Sequence, residues 1–142
     1  MYYVYETKTF YQMYNGIEFK VILKFEEEDQ PLEDTFDDSI HDIKELYRKI
    51  NNGTYVYFCA HMEVWYNDMH LSDDYLGGCL YKSYDDFIES NDYFSDMKNT
   101  VLEEGYKKLR TIHDDLMGLS FSDRVDVFTP SNENMIRGLN ND

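Results

Sequence analysis

The chain has 142 residues, which suits one domain with a single hydrophobic core. Its 29 Asp and Glu residues against 13 Lys and Arg give a formal net charge of −16. A hydrophobic content of 42% with 17% aromatic residues excludes a disordered acidic chain. The charge also excludes direct binding to nucleic acids or to anionic membranes, because both would repel the protein. The partners we expect are cations, basic proteins, or a second copy that forms a homodimer through a neutral face.

The beginning of the chain lacks the basic and apolar regions of a signal peptide, and no run approaches the roughly 18 apolar residues of a membrane span. Cys59 and Cys79 are the only cysteines, which is too few for a secreted disulfide framework. A cytoplasmic location is therefore expected. Abundant Tyr, Asn and Asp indicate an AT-rich genome, such as that of a bacterium or its phage, so the cytoplasm would be that of the bacterial host.

The first 25 residues predict a β-hairpin. Residues 17–25 alternate between apolar and polar side chains, with Ile22 as the exception, which is typical of a half-buried antiparallel strand. Residues 2–14 are rich in Tyr, Val, Thr and Phe and form the partner strand. Asn15-Gly16 lies between them and supplies the positive φ angles of a two-residue turn.

Residues 26–38, EEEDQPLEDTFDD, are expected to form an acidic linker. Ser39 begins the next predicted helix, with Asp42 three positions on as a variant of the capping box, and Asn52-Gly53 ends it. Residues 55–65 alternate again and predict a long strand, with an apolar face opposite a face that carries Cys59, His61 and Glu63.

A polar turn over residues 67–74 is expected to lead into a short strand at 75–81. That strand is interrupted by Gly77-Gly78, a pair that often marks a β-bulge. Ser83 is predicted to cap a short helix over residues 84–89, and Ser95 a longer helix that ends near Leu116.

The predicted fold class is α+β, with a small antiparallel sheet of three or four strands and helices packed on one face. Residues 1–117 would form this single domain. Residues 118–142 have little periodicity and are expected to form a polar tail that is at best partly ordered, with Val125–Phe128 as an added edge strand.

Acidic residues are concentrated in two windows, 26–45 and 68–104, which together contain twenty carboxylates and only three lysines. One interpretation is a solvated surface that keeps the protein soluble. The other is imitation of a polyanion: duplex DNA has about one charge per 1.7 Å of axis, and rows of carboxylates can occupy the Lys/Arg channel of a nucleic-acid enzyme. The residues expected to contact such a partner are Glu26, Glu27, Glu28, Asp29, Glu33, Asp34, Asp37, Asp38, Asp73, Asp74, Asp85, Asp86, Glu89, Asp92 and Asp96.

Metal binding is an alternative that uses Cys59, His61, His70 and Cys79 as four zinc ligands. Cys59 and His61 share one face of a predicted strand, which is suitable geometry. No C-x-x-C pair is present, however, so a buried cysteine and a polar-face histidine are preferred, and we expect no metal. The acidic segments also lack EF-hand spacing.

Enzymatic activity is not expected, because the chain has no nucleophile elbow, Walker loop or dinucleotide motif. No catalytic residue and no cofactor are therefore predicted. The many tyrosines, among them Tyr2, Tyr3, Tyr5 and Tyr11, exceed what a small core can accommodate. Tyr and Trp are favoured at interfaces, so they indicate either simple coverage of a thin sheet or a contact with a partner.

Residues 74–79 (DYLGGC), 84–88 (YDDFI) and Asp96-Met97 resemble small proteins that are common in phages and mobile elements. In size and charge the chain is similar to acidic phage inhibitors of host defence, the anti-restriction and anti-CRISPR proteins. Many of those act as DNA mimics or block a nucleic-acid groove. The resemblance implies a non-enzymatic inhibitor that binds the cationic surface of a host defence nuclease complex. The alternative is an antitoxin or immunity protein that neutralises one basic toxin.

Overall fold

The computed structural model describes residues 2–122. Four strands and four helices follow one another in the order β1 (Val4–Tyr14), β2 (Ile17–Glu26), α1 (Leu32–Thr35), α2 (Ile43–Asn51), β3 (Val56–Tyr66), β4 (Met69–Tyr81), α3 (Tyr84–Ser90) and α4 (Phe94–Met117). The strands form one antiparallel sheet in the order β1-β2-β3-β4. The predicted α+β class is confirmed.

The predicted hairpin is also confirmed. β1 pairs with β2 from Val4 to Tyr14, and the two-residue connection has positive φ at both positions, 50° at Asn15 and 81° at Gly16. Positive φ at both central residues matches the right-handed twist of the flanking strands, which is why Asn-Gly is favoured there.

Alternating side chains of β2 and β3 form one apolar face of the sheet, and α3 and α4 pack on it. Phe25 of β2 and Phe58 of β3 contact each other edge to face at 5.0 Å, and both contact Phe87 of α3. The fully buried side chains of this layer include Phe19, Val21, Leu23, Phe25, Phe58, Met62, Val64, Phe87 and Val101. We call the opposite side of the sheet the second face.

A β-bulge interrupts the pairing of β3 with β4, as Gly77-Gly78 predicted. Phe58 pairs with Cys79 and Ala60 pairs with Leu76, so the single residue Cys59 lies opposite both glycines. Gly78 has φ of 68°, a conformation that residues with a Cβ rarely adopt.

The predicted linker over residues 26–38 is wrong in two respects. Glu26 is the last residue of β2. Leu32 is fully buried at the start of α1, because its apolar side chain packs against the rest of the fold although its neighbours in sequence are acidic. The next helix begins at Ile43 rather than Ser39, since the Asp42 carboxylate accepts a hydrogen bond from the Glu45 backbone N–H and so occupies the N-cap itself.

The polar turn predicted at 67–74 is shorter than expected. Only Asn67 and Asp68 connect β3 to β4, because Asn67 adopts a positive φ of 52° and the strand starts at Met69. Ser83 caps α3 as predicted by accepting from the Asp86 N–H. Ser95, in contrast, lies inside α4, and its own N–H donates to the Asn91 side chain.

Within residues 2–122, no helix is long and apolar enough to cross a membrane. The predicted edge strand at 125–128 lies outside the described residues.

Gly105 provides a stability test, because it lies inside α4 where that helix approaches the sheet. A Cβ at this position would be 2.9 Å from Val64 Cγ1 and 3.1 Å from Ser72 Oγ. Val64 is fully buried, and Ser72 Oγ donates to the Val101 carbonyl at 2.7 Å, so neither neighbour can move freely. Overpacking costs about 1–3 kcal/mol, which exceeds the roughly 1 kcal/mol gained from helix propensity. We therefore expect Gly105→Ala to lower the free energy of unfolding, measured with urea.

Asn99→Ala, at an exposed position of the same helix, is the control and should be neutral or slightly stabilising. Equal stabilisation by both substitutions would show that α4 does not approach the sheet closely at Gly105.

Candidate functional site

The acidic segment 27–36 is attached to the second face of the sheet. Glu28 Oε1 accepts a hydrogen bond from the Gly78 N–H at 2.6 Å, and Glu28 Oε2 accepts from the Gln30 N–H at 3.1 Å. Tyr57, which alternation places on the second face, donates its hydroxyl to the Gln30 carbonyl and lies 2.9 Å from Thr35 Oγ1. These contacts hold the segment across the end of β3 and β4.

Neutral groups donate hydrogen bonds to several other carboxylates of this region. Glu27 accepts from the Tyr3 N–H, Asp29 from the Tyr2 hydroxyl and Glu33 from the Tyr47 hydroxyl at 2.7 Å. Asp37 accepts from the N–H and hydroxyl of Ser39. These bonds orient the carboxylates and leave their negative charge uncancelled.

The pKa values of these groups shift in the directions that the hydrogen bonds require. The Tyr47 hydroxyl lowers the pKa of the Glu33 carboxyl, and the Ser39 backbone N–H and hydroxyl lower that of Asp37. Conversely, the Asp29 carboxylate raises the pKa of the Tyr2 hydroxyl. Each hydrogen bond favours the ionised carboxylate and the protonated phenol.

Lysine and arginine side chains pair with almost none of the fifteen predicted contact residues. Among the described residues, only Asp85 forms such an ion pair, with Lys8 at 2.7 Å. The other ion pairs to this set come from histidine: His61 contacts Glu26 and Asp73, and His70 lies 3.8 Å from Asp73. The surface therefore keeps most of its negative charge.

The predicted contact residues do not form one continuous row. Glu26, Glu27, Glu28 and Asp29 line a groove of about 350 Å³ together with Tyr2, Cys59 and Tyr75. Glu33, Asp34, Asp37 and Asp38 follow on α1 and the connection to α2, and Asp73 and Asp74 lie on β4. Asp85, Asp86, Glu89, Asp92 and Asp96 belong to α3, the start of α4 and the turn between them, in the layer that packs on the apolar face.

A buried histidine lies on the second face beside this groove. His61 is only 5% exposed; its Nδ1 is 2.7 Å from Glu26 Oε2 and its Nε2 is 3.1 Å from Asp73 Oδ2. Glu63 Oε2 lies 3.7 Å from the same Nε2. Tyr75 stacks on the imidazole with ring centroids 3.9 Å apart and 13° between the planes. We call His61, Glu63 and Asp73 the His61 cluster.

Glu63 is 8% exposed and is held from two sides. Trp65 Nε1 donates to its Oε1 and Lys24 Nζ donates to its Oε2, both at 3.0 Å. Burial would raise the pKa of the Glu63 carboxyl, but these hydrogen bonds outweigh burial, so the pKa lies below its ordinary value. The carboxylate is therefore ionised at neutral pH.

The four-ligand zinc site that the sequence analysis considered as an alternative is not assembled. Cys79 is buried in the apolar core and its thiol donates to the Leu76 carbonyl at 3.3 Å, whereas His61 lies on the second face. The bulge causes this separation, because it sets which residues of β4 face the core. The sequence reasoning did find His61 and His70, and it placed Glu63 on the same strand face as His61.

Sequence reasoning missed Lys24, Tyr75 and the role of Asp73 as a partner of His61. Their proximity depends on the strand registers, which pair His61 with Lys24 on one side and with Tyr75 on the other. Alternation within a single strand gives no information on which residues of the next strand lie opposite.

No protein-family model matches this chain, and neither a curated protein nor a solved structure matches it significantly.

Glu28 and Asp38 provide a test that separates structural from exposed carboxylates. Glu28→Ala would leave the Gly78 N–H without its acceptor, and we expect a loss of about 1–3 kcal/mol in the free energy of unfolding. Asp38 is exposed, so Asp38→Ala removes the same charge and should change stability by less than about 0.5 kcal/mol. Urea denaturation of both variants measures the difference. Equal effects would contradict the anchoring role of Glu28.

The two thiols give a further prediction. Burial, with the nearby Glu28 and Glu26 carboxylates, raises the pKa of Cys59 to about 11, and burial raises that of Cys79 to about 12. Since the thiolate is the reactive form, both cysteines should react slowly with Ellman's reagent at pH 8 and rapidly in urea. Cys59→Ser and Cys79→Ala variants assign the two rates. Fast labelling of Cys79 in the native protein would place it outside the core.

Proposed function

We propose that the protein is a non-enzymatic acidic inhibitor that binds the cationic nucleic-acid-binding surface of a nuclease, as a phage-encoded protein would do against a host defence complex. The observation that supports this proposal is the lack of Lys or Arg partners for the predicted contact carboxylates, with Asp85 as the one exception in the described chain. A basic partner would provide the missing countercharge.

The hydrogen bonds of the acidic segment add to this argument. Flexible carboxylates lose side-chain entropy when a partner orders them, which weakens binding. Glu27, Glu28 and Asp29 are already oriented by Tyr3, Gly78 and Tyr2, so part of that cost is met in the free protein. Strong negative potential also accelerates encounter with a basic surface at low salt.

The alternative function, neutralisation of a single basic toxin, is favoured by the tyrosines beside the same carboxylates. Tyr2, Tyr3 and Tyr75 are 55%, 66% and 58% exposed. Aromatic side chains at the centre of an interface provide binding free energy that salt does not screen. A toxin complex would therefore depend less on salt than a nuclease complex does.

A salt-series pull-down with the tagged full-length chain tests the proposal. From bacterial lysate at low salt, we expect capture of a nucleic-acid enzyme that moderate salt or competing duplex DNA releases, because both screen or replace the carboxylates. A captured partner that is not a nucleic-acid protein and survives high salt would support the toxin alternative. Absence of any captured basic protein would contradict both functions.

Matched charge variants then test whether the predicted contact residues, and not net charge alone, determine binding to the purified partner. Asp34→Asn, Asp38→Asn, Glu89→Gln and Asp96→Asn are combined in one variant, and all four sites are exposed. We expect at least about a tenfold weaker Kd and a smaller salt slope. The control combines Glu18→Gln, Glu104→Gln, Asp114→Asn and Asp115→Asn, which remove the same charge from exposed sites outside the predicted surface. Equal weakening by both would mean that net charge alone determines binding.

A further inference from the structure

The imidazole of His61 is placed so that both ring nitrogens face carboxylates. Nδ1 is 2.7 Å from Glu26 Oε2, so the tautomer with its proton on Nδ1 donates to that carboxylate. In a neutral imidazole Nε2 then presents a lone pair to Asp73 Oδ2 at 3.1 Å and to Glu63 Oε2 at 3.7 Å. Lys24 already donates to Glu63 Oε2, but Nε2 and Asp73 Oδ2 are two acceptors in close contact and need a positive species between them, either a second proton or a cation.

The spacing of these atoms is that of a metal site. A tetrahedral ion with ligands at about 2.1 Å separates neighbouring ligand atoms by about 3.4 Å. The two distances from His61 Nε2 lie on either side of this value, and one ligand atom from each of the three residues falls within 4.8 Å of the others. His70 Nε2 is 3.8 Å from Asp73 Oδ2 but lies outside this group of three, so its exposed side chain must move closer to supply a fourth ligand.

The charge of the site also suits a divalent ion. Glu26, Glu63 and Asp73 contribute three negative charges, and Lys24, which donates to Glu63 Oε2 at 3.0 Å, contributes one positive charge. With a neutral His61 the remaining charge is −2. A divalent cation neutralises it, and burial of His61 and Glu63 makes such neutralisation important, because unbalanced buried charge is costly.

The surroundings of His61 resemble the outer shell of a metal-binding histidine. Such histidines donate their second N–H to a carboxylate, which fixes the tautomer and makes the coordinating nitrogen more basic, and Glu26 occupies that place. Tyr75 stacks on the face of the ring and so does not occupy the ring plane, in which a metal binds.

We propose that His61 Nε2, Glu63 Oε2 and Asp73 Oδ2, completed by His70, bind one divalent transition-metal ion on the second face of the sheet. Imidazole and carboxylate ligands together favour zinc and its neighbours over magnesium or calcium. A carboxylate oxygen has two lone pairs, so Glu63 Oε2 can accept from Lys24 and bind the ion, and the positive charge of Lys24 stays in the balance. The ion joins β3 to β4 and, through Glu26, the end of β2 from which the acidic segment departs.

Calorimetric titration of the chelator-treated full-length protein with Zn²⁺ tests the site. We expect a 1:1 complex, a raised Tm, and visible absorption bands of a tetrahedral ion when Co²⁺ replaces Zn²⁺. Asp73→Asn keeps the side-chain shape at an exposed position, so it should fold and bind Zn²⁺ at least about 100-fold more weakly. Glu26→Gln should weaken binding by about 10- to 100-fold, because it disturbs only the outer shell.

His41→Ala and Cys59→Ser are the controls, since neither residue belongs to the proposed ligand set, and both should leave the Zn²⁺ affinity unchanged. A loss of affinity in Cys59→Ser would assign the metal to a cysteine site and overturn the proposal. So would failure of Zn²⁺ and Co²⁺ to bind, or binding that Asp73→Asn leaves unchanged. A nitrogen resonance of doubly protonated His61 that persists in excess Zn²⁺ would show that a proton fills the position instead.

The four carboxylates neutralised in the partner experiment do not include any of these ligands. Failure of the metal site and failure of the inhibitor function are therefore distinguishable.

Discussion

The β-bulge at Gly77-Gly78 determines most of what is distinctive about this protein. Two residues of β4 lie opposite the single residue Cys59, so the alternation of β4 shifts relative to β3 at this point. On the N-terminal side of the bulge, Tyr75 pairs with His61 and stacks on its imidazole. At the bulge itself, the Gly78 N–H points toward the acidic segment, where Glu28 accepts its hydrogen bond. One local irregularity thus places both the aromatic cover of the histidine and the anchor of the carboxylates.

A second irregularity in the pairing of β3 with β4 limits the length of the shifted register. The register shifts again between Val64 and Trp65, so five residues of β4, 72–76, pair continuously with residues 60–64 of β3. This stretch contains the cross-strand pair Glu63 and Asp73. Like charges directly opposite on a sheet destabilise it. The structure compensates here with cationic or hydrogen-bonding groups, namely His61, Lys24 and the Trp65 indole. An acidic pair is therefore retained at a buried position because its neighbours stabilise the charge.

The acidic surface and the His61 cluster follow different electrostatic rules although they meet at Glu26. Tyrosine, serine and backbone groups donate hydrogen bonds to the carboxylates of residues 27–37. These bonds orient the side chains, and within the described chain no Lys or Arg pairs with these carboxylates to reduce their negative electrostatic potential. Self-repulsion of this kind reduces stability, and the fold tolerates it because the aromatic core around Phe25, Phe58 and Phe87 is extensive. In the cluster, by contrast, burial makes charge balance a requirement, and the groups are arranged around one imidazole.

Patterns that depend on near neighbours in the chain were predicted well. The Asn15-Gly16 hairpin, the long strand after Gly53, the glycine bulge and the Ser83 cap all arise from local backbone preferences and alternation. Errors arose where a neighbouring residue took the cap position in place of the predicted one, or where burial depended on a distant contact. Ser39 and Ser95 each offered a plausible cap, but the N-cap was occupied by Asp42 in one helix and lies ahead of Ser95 in the other. The burial of Leu32, which lies in a run of acidic residues, was not predicted because it depends on tertiary packing.

The sequence by itself determined the fold class, the strong negative charge and the face of β3 on which His61 and Glu63 lie, because alternation and composition are properties of the chain alone. Tertiary structure decided which strands pair and in which register. That register brought Asp73 and Tyr75 to His61, directed Cys79 into the core away from it, and attached the acidic segment to the sheet through Glu28. Hydrogen bonds between strands set these distances, and each depends on residues far apart in the chain.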